Sequence, residues 1–287
     1  MAAKKPVSRK AARATRSTSK KPPPKLSPAA GRGRGNGTLK PAAKTTAAAS
    51  CNGQWRKTWI ARHKAYAQVF GPAFPKGQVL LAEGECIAPA AACRRNLSFM
   101  QYPPRPDRLG WIYVTHGLSQ ACAKGKRALR IELALHWRGR DNKAAVGVLA
   151  QAAKYMLESG TPISPGAVLS SQEVPSLGVS NLRHWLACEP DSAIPARIEH
   201  SGVCVHFVLL LGISDAELQC ALRVNPALAD GRQVLLEALQ CGGVFPMSDP
   251  ERTCLTRRSD FHRLWERSFQ TVRERITNGE ARNPKDD

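Results

Sequence analysis

The sequence has no long hydrophobic run and no paired cysteine motif. None of its apolar stretches approaches the ~20 residues that a transmembrane helix needs, and no apolar segment follows the basic N terminus as it does in a secretory signal. The nine cysteines are scattered and include no C-x-x-C pair, which argues against a disulfide framework or a zinc ribbon. We therefore expect a cytoplasmic protein without a membrane span.

Motifs of the common enzyme classes are also missing. There is no G-x-S-x-G nucleophile elbow, and the GRGRGNG stretch at 31–37 lacks the spacing and context of a phosphate-binding loop. Two of the candidate carboxylates have structural explanations, because Glu217 completes a capping box with Ser214 and Asp141 can cap a helix. The sequence therefore predicts neither an enzyme nor a cofactor.

One catalytic alternative centres on His116. It has the chemistry of a general base, with Ser119 or Cys122 as the nucleophile of a hydrolase. A triad also needs an orienting carboxylate and an oxyanion hole, and neither is recognisable in the sequence. We instead expect the Thr115 and Ser119 hydroxyls to cap the backbone of the turn, with His116 at its rim.

A metal site is the other chemical alternative. His184 and Cys188 would face the same way on a helix, and His200 lies six residues before His206. No second pair completes the four ligands that zinc needs. The sequence therefore predicts ordinary hydrogen-bonded histidines and no metal.

Acidic and aromatic residues are absent from the first 50 positions. This segment holds 13 of the 43 Lys and Arg residues, so the remainder of the chain carries a modest excess of 30 basic over 22 acidic side chains. Its Ala-, Lys- and Pro-rich composition predicts a disordered tail. Such a tail is either a neutral extension or a non-specific, salt-sensitive nucleic-acid contact without base stacking. The candidate contacts are Lys4, Lys5, Arg9, Lys10, Arg32 and Arg34.

Past Trp55 the pattern changes to that of a folded domain with alternating helices and strands. Leu129, Ile131, Leu133 and Leu135 alternate with polar residues, which predicts a strand with one buried face and Glu132 on the other. The nearly continuous apolar run at 203–211 predicts a central strand covered on both faces. Helices are expected at 55–70, 143–158, 214–223, 231–240 and 256–279, and further strands at 98–102 and 111–115.

The most specific local pattern is S-F-M-Q-Y-P-P-R-P-D-R-L-G-W-I-Y-V-T-H-G-L-S at 98–119. Aromatic and β-branched residues predict two strands, and prolines confine the pairing to either side of the loop between them. Gly117 can adopt a positive φ and turn the chain sharply after the second strand. The pattern predicts a β-hairpin that ends in a T-H-G-L-S turn.

This hairpin and several later segments resemble the suppressor-of-fused family in its bacterial form. The segments that carry the resemblance are the turn at 111–119, a buried Glu132-Leu133 pair, KYMLESGTPISPG at 154–166, GISDAEL at 212–218 and GRQVLLEALQCGG at 231–243. The resemblance covers about 55–250 and leaves the tail at 1–50 and the helix at 256–279 outside it. The sequence departs from the family pattern at about 160–200.

The resemblance implies an α/β (α+β) fold, with a mixed, largely antiparallel sheet packed with helices. It also implies a non-enzymatic domain that binds a protein or peptide, and in bacteria an immunity protein that neutralises a toxin. An extended partner segment would pair with an exposed sheet edge. The partner-binding residues predicted on this basis are Tyr102, Arg105, Tyr113, Thr115, His116 and Ser119.

Overall fold

The described residues form a seven-stranded mixed sheet with helices packed against it. The computed structural model describes residues 47–72, 97–120, 129–139, 142–170 and 181–279. The strands are β1 (Ser98–Tyr102), β2 (Trp111–His116), β3 (Ile131–Trp137), β4 (Val168–Leu169), β5 (His184–Cys188), β6 (Arg197–His200) and β7 (Val203–Ile213). Their order is β1-β2-β3-β7-β5-β4, and β6 pairs with β7 off this path. The β3–β7 pair is parallel and the other described pairs are antiparallel, so the predicted fold class is confirmed.

Five helices are described around the sheet. They are α1 (Ala47–Phe70), α2 (Asn142–Ser159), α3 (Asp215–Leu222), α4 (Gly231–Cys241) and α5 (Phe261–Thr277). The first begins at Ala47 rather than near Trp55, because its extra turns include alanines, which have the highest helix propensity. The tail contacts predicted within 1–46, and Cys122, lie outside the described residues. No helix in the described ranges is long and apolar enough to span a membrane.

Each face of the sheet packs against its own set of helices. On one face Leu133, Leu135 and Leu210 pack against α2 through residues such as Leu149 and Met156. The opposite face packs against α1, α4 and α5, and the contacts there include Tyr66, Phe70, Leu235 and Leu239. Complete burial of such side chains contributes about 1.5–3 kcal/mol each. The sheet therefore separates two apolar cores.

Strand β3 differs from the sequence prediction. Alternation predicted one solvent-facing side carrying Glu132, but every residue from Glu132 to Trp137 is buried. The reason is that β3 lies between β2 and β7, and helices cover both faces at this point. The Glu132 carboxylate is therefore fully buried, and its role depends on the groups that it contacts.

The predicted capping box is confirmed at the start of α3. The Ser214 hydroxyl accepts from the Glu217 N–H at 3.3 Å, and the Ser214 N–H donates to Glu217 at 2.8 Å. Glu217 also binds the Arg252 guanidinium through two bonds of 2.6 Å. Burial raises the pKa of Glu217, but the bonds and charge of Arg252, together with the backbone bonds from Ser214 and Leu255, hold that pKa below its usual range. This carboxylate joins α3 to the segment before α5.

The histidine and cysteine pairs considered for zinc are separated by the strand geometry. His184 and Cys188 lie at opposite ends of β5, about 13 Å apart along an extended strand. His184 instead binds Asp215 at 2.8 Å. His200 is buried at the end of β6 whereas His206 is exposed on β7. Neither spacing brings the two residues together as ligands.

Candidate partner-binding site

The carboxylate of Glu132 holds the turn that follows β2. Its Oε1 accepts from the N–H groups of Gly117 and Ser119 at 2.9 and 3.1 Å, and from the Ser119 hydroxyl at 2.7 Å. Its Oε2 accepts from the Thr115 hydroxyl at 2.6 Å and from the Leu118 N–H at 3.2 Å. We call this arrangement of Glu132 with 115–119 the Glu132 clamp. It satisfies a buried carboxylate with five donors.

The backbone of the turn is shaped so that its N–H groups converge. Gly117 has φ +121°, a value that side-chain-bearing residues rarely adopt, and this redirects the chain towards Glu132. The Thr115 hydroxyl also accepts from the Leu133 N–H at 2.8 Å, which ties the end of β2 to β3 a second time. The hydroxyls of Thr115 and Ser119 therefore bind Glu132, and the prediction that they cap the turn's own backbone is wrong.

The other end of the hairpin is held at its tip. Arg105 and Arg108 exchange two backbone hydrogen bonds, of 2.8 and 3.0 Å. The Arg108 guanidinium is largely buried and donates to the carbonyls of Pro103 at 2.8 Å and of Phe70, the last residue of α1, at 3.4 Å. The tip is therefore attached to α1 as well as closed on itself.

Gly110 allows the returning strand to lie close to its neighbours. It has φ +78°, and a Cβ placed there would lie 2.8 Å from Met247 Sδ and 3.0 Å from the carbonyl oxygen of Trp137. Beside it, the ring of His136 makes a short contact with the carbonyl of Leu109. The peptide at 109–110 is thus held by its contacts with Met247, Trp137 and His136. The Leu109 side chain points outward and is 73% exposed.

His116 lies inside the protein, so the expectation that it sits at the rim of the turn is wrong. Its ring is fully buried beneath α1, 3.3 Å from the Arg62 guanidinium and in edge contact with Trp59 and Tyr66. Burial, and then the positive charge of Arg62, lower the pKa of His116 to about 2. Such a ring is too weakly basic to act near neutral pH, and Ser119 hydrogen-bonds Glu132 instead.

The six predicted partner-binding residues occupy two different environments. Tyr102, Tyr113, Thr115, His116 and Ser119 are each at most 1% exposed. The Arg105 side chain is 41% exposed at the tip, where it lies 3.3 Å from Asp107. The structure brings all six to one hairpin, but only Arg105 among them presents side-chain surface.

Two residues that organise this region were not selected from the sequence. Alternation alone predicts Glu132 on a polar strand face, whereas the family resemblance implies a buried Glu132-Leu133 pair, which the structure has. The sequence predicts no role for Arg62, which lies within the helix expected at 55–70. Arg62 is fully buried and lies 3.9 Å from Glu132 and 3.3 Å from His116. A usable signal was the single acidic residue within the otherwise apolar stretch 131–135, because a charge in such a strand needs an internal partner.

A family model described as suppressor of fused protein (SUFU) matches residues 94–253. A search of curated proteins finds no significant match. The matched segment contains the hairpin, the Glu132 clamp, the capping box and α4.

Among solved structures, the chain is similar to three suppressor-of-fused structures. The first is described as the Sufu–Fu complex; identity is 17% and the TM-score 0.51, over 75% of this chain and 96% of that chain. A Drosophila suppressor of fused gives 18% identity and a TM-score of 0.44, over 63% of this chain and 46% of that chain. A homologue from Neisseria gonorrhoeae gives 15% identity and a TM-score of 0.49, over 70% of this chain and 96% of that chain.

The structural match to the first of these establishes a shared fold and nothing finer, since identity is low. The family model carries the assignment because it spans 160 of the 287 residues, counted from 94 to 253. The residues expected from the resemblance, from the T-H-G-L-S turn to the start of α3, all lie inside that span. This chain belongs to the suppressor of fused family.

Proposed function

We propose that this protein captures a segment of another protein at the β1–β2 hairpin and carries out no chemical reaction on it. The observation that carries the proposal is the position of this hairpin: β1 is the terminal strand of the sheet that the described residues form, and β2 is locked to β3 by the Glu132 clamp. A rigid scaffold that presents an edge and a loop is the usual basis of protein recognition. One similar solved structure is described as a Sufu–Fu complex, which supports a protein partner.

The edge of β1 suits main-chain pairing with an extended segment. Within the described ranges no strand pairs with its outer side, whereas β4 at the opposite edge has two residues. An added strand gains hydrogen bonds from the backbone and selectivity from side-chain contacts at alternate positions. Gln101 is the β1 residue with the most exposed side chain and would contact such a strand.

The tip adds a surface with both charge and apolar area. The side chains of Arg105 and Asp107 are 41% and 69% exposed, and Leu109 is 73% exposed. Arg105 is therefore the predicted residue that we propose as a direct contact. For Tyr102, Tyr113, Thr115, His116 and Ser119 we propose an indirect part in partner binding, since these buried residues fix the shape that the hairpin presents.

The finer proposal is that the partner is a toxin and that this chain is its immunity protein. It rests on the resemblance to bacterial members of the family. An immunity protein has to bind tightly and block the toxin's site, and neither property requires catalytic groups. The test is co-expression with a toxin encoded beside this gene: survival of the host supports the role, and death with both proteins present refutes it.

Binding at the tip is tested with the full-length protein and a partner first identified by affinity capture. We expect Leu109→Ser to raise Kd by at least about tenfold, because an exposed apolar anchor is lost. Leu228→Ser is the matched control, since Leu228 is also exposed, at 47%, but lies between α3 and α4. Equal affinities of both variants and the wild type, measured by calorimetry, would refute the assignment of the hairpin tip.

A second candidate function is nucleic-acid association through the basic tail, favoured by the 13 positive charges without acids in residues 1–50. Neutralised phosphates release counterions, so replacing Lys4, Lys5, Arg9, Lys10, Arg32 and Arg34 with Gln removes up to six contacts. The plot of log Kobs against log salt for duplex DNA has a negative slope, and its magnitude should then decrease by about 5. An unchanged slope would exclude these residues as the phosphate contacts.

A further inference from the structure

A surplus of hydrogen-bond donors lies between α1 and the sheet. Arg62 is fully buried, and its Nη1 has no hydrogen-bond partner among the described residues. Its Nε and Nη2 each lie 3.3 Å from a different ring nitrogen of His116. A neutral imidazole has one acceptor nitrogen, so only one of these two contacts is a hydrogen bond at a time. Four of the five guanidinium N–H bonds therefore lack an acceptor within the described part of the chain.

Glu132 does not supply the missing acceptors. Among the described residues it is the carboxylate nearest to Arg62, but the 3.9 Å between Arg62 Nη1 and Oε1 exceeds hydrogen-bond length. Its two oxygens are already occupied by the five donors of the Glu132 clamp. Across this gap Glu132 offsets part of the charge of the Arg62 guanidinium, but it accepts no hydrogen bond from the Arg62 N–H groups.

Other buried polar atoms in the same region are also without partners. Both ring nitrogens of His200 and the hydroxyls of Tyr66 and Tyr102 make no hydrogen bond to any described residue. Burial, and then the charge of Arg62, lower the pKa of His200, and Tyr66 lies near both Arg62 and Tyr102. Native proteins leave few buried polar groups unpaired, and those that remain need an explanation. Of these groups, Tyr66 on α1 and His200 on β6 lie within range of the Arg62 charge.

A pair of aromatic rings covers this cluster. Trp59 and His63, one turn apart on α1, stack with their centroids 5.2 Å apart. Both rings meet His116 edge-on, at 5.4 and 6.1 Å. Trp59 and His63 are themselves half-buried, so they separate His116 from the surface. Rotation of these two side chains is the shortest way to open the cluster.

From this geometry we propose that Arg62, His116 and His200 form a binding site for a carboxylate, beneath the Trp59–His63 pair. A carboxylate brings two oxygens with about four lone-pair sites and matches a guanidinium in bidentate geometry. It also supplies acceptors for the Arg62 N–H groups that Glu132 does not reach. The ligand is either a small free carboxylate or the carboxylate of a bound polypeptide. The site goes beyond the hairpin surface and does not depend on it.

The test is a titration of the 15N-labelled full-length protein with formate, with chloride keeping the ionic strength constant. Long-range 1H–15N spectra follow the imidazole nitrogens directly. We expect saturable shifts at His116 and His200, and an affinity about tenfold lower in His200→Leu because one charge-assisted bond is lost. His206→Leu is the matched control, since His206 is exposed on the adjacent strand, and its affinity should equal that of the wild type.

A second titration distinguishes the two sources of the carboxylate. A glycine-rich peptide with a free C terminus is added to the formate complex and compared with the same peptide as its C-terminal amide. Competition by the free acid alone supports a polypeptide carboxylate, and no competition by either supports a small free carboxylate. Absence of saturable formate shifts in the wild type would overturn the proposal. Equal formate affinities of His200→Leu and the wild type would also overturn it.

Discussion

Replacing Glu132 with glutamine tests whether the Glu132 clamp holds the hairpin in place. The amide oxygen can take the position of Oε1 and keep the bonds from Gly117 and Ser119. The amide nitrogen then faces the Thr115 hydroxyl and the Leu118 N–H, where Oε2 had accepted both. The hydroxyl of Thr115 can turn to the Leu133 carbonyl at 3.4 Å, so Leu118 is the group left without an acceptor.

The size of the effect follows from these contacts. A buried N–H without an acceptor costs about 1–3 kcal/mol, and the remaining bonds lose the strength that the charge gave them. Arg62 also loses a negative charge 3.9 Å away. We expect Glu132→Gln to lower the free energy of unfolding by about 3 kcal/mol. That is a large part of the 5–15 kcal/mol typical of a domain, and corresponds to a fall in Tm of about 10 °C.

The assay is urea denaturation followed by tryptophan fluorescence, together with amide hydrogen exchange. Glu199→Gln is the matched control, since Glu199 is exposed on β6, and it should change stability by less than about 0.5 kcal/mol. In Glu132→Gln the Leu118 amide should exchange faster than in the wild type. If Glu132→Gln unfolds at the same urea concentration as the control, the clamp does not stabilise the hairpin.

Two further predictions concern pH and backbone packing. His116 is held neutral, with its pKa lowered from 6.5 to about 2, so the unfolded chain binds its proton first and stability falls as pH decreases below about 6.5. His116→Phe should flatten this dependence by up to about 1.4 kcal/mol per pH unit, measured by denaturation at several pH values; an unchanged slope would contradict it. A Cβ on Gly231 would lie 1.9 Å from the carbonyl oxygen of Ala221, so Gly231→Ala should cost about 3 kcal/mol. Gly147→Ala in α2, where the added Cβ meets nothing within 4 Å, should stabilise by about 0.5–1 kcal/mol; equal effects in thermal unfolding would refute the packing argument.

The strands of the hairpin and the capping box were predictable because their signals are local. Aromatic and β-branched residues at 98–102 and 111–115 matched β1 and β2 nearly to the residue. Ser214 and Glu217 are three residues apart, so their mutual hydrogen bonds follow from the sequence alone. Each of these features depends on neighbours within a short stretch of chain.

The interior of the site was not predictable in the same way. Whether Glu132 lies in solvent or in the core depends on α1, which comes from a segment about 70 residues earlier in the chain. The alternation around Glu132 has the same form for a half-exposed strand and for one covered by helices on both faces. The sequence predicts His116 at the rim for the same reason, since local turn chemistry carries no information about Arg62, which packs against it.

The segment matched by the family begins at residue 94, whereas α1 ends at Phe70. A fragment trimmed to that similarity would leave behind Arg62, Tyr66 and Phe70, and with them the cover over Met100 and Ile112. The apolar side chains exposed in this way would promote self-association during purification. A fragment chosen for expression should therefore begin before α1.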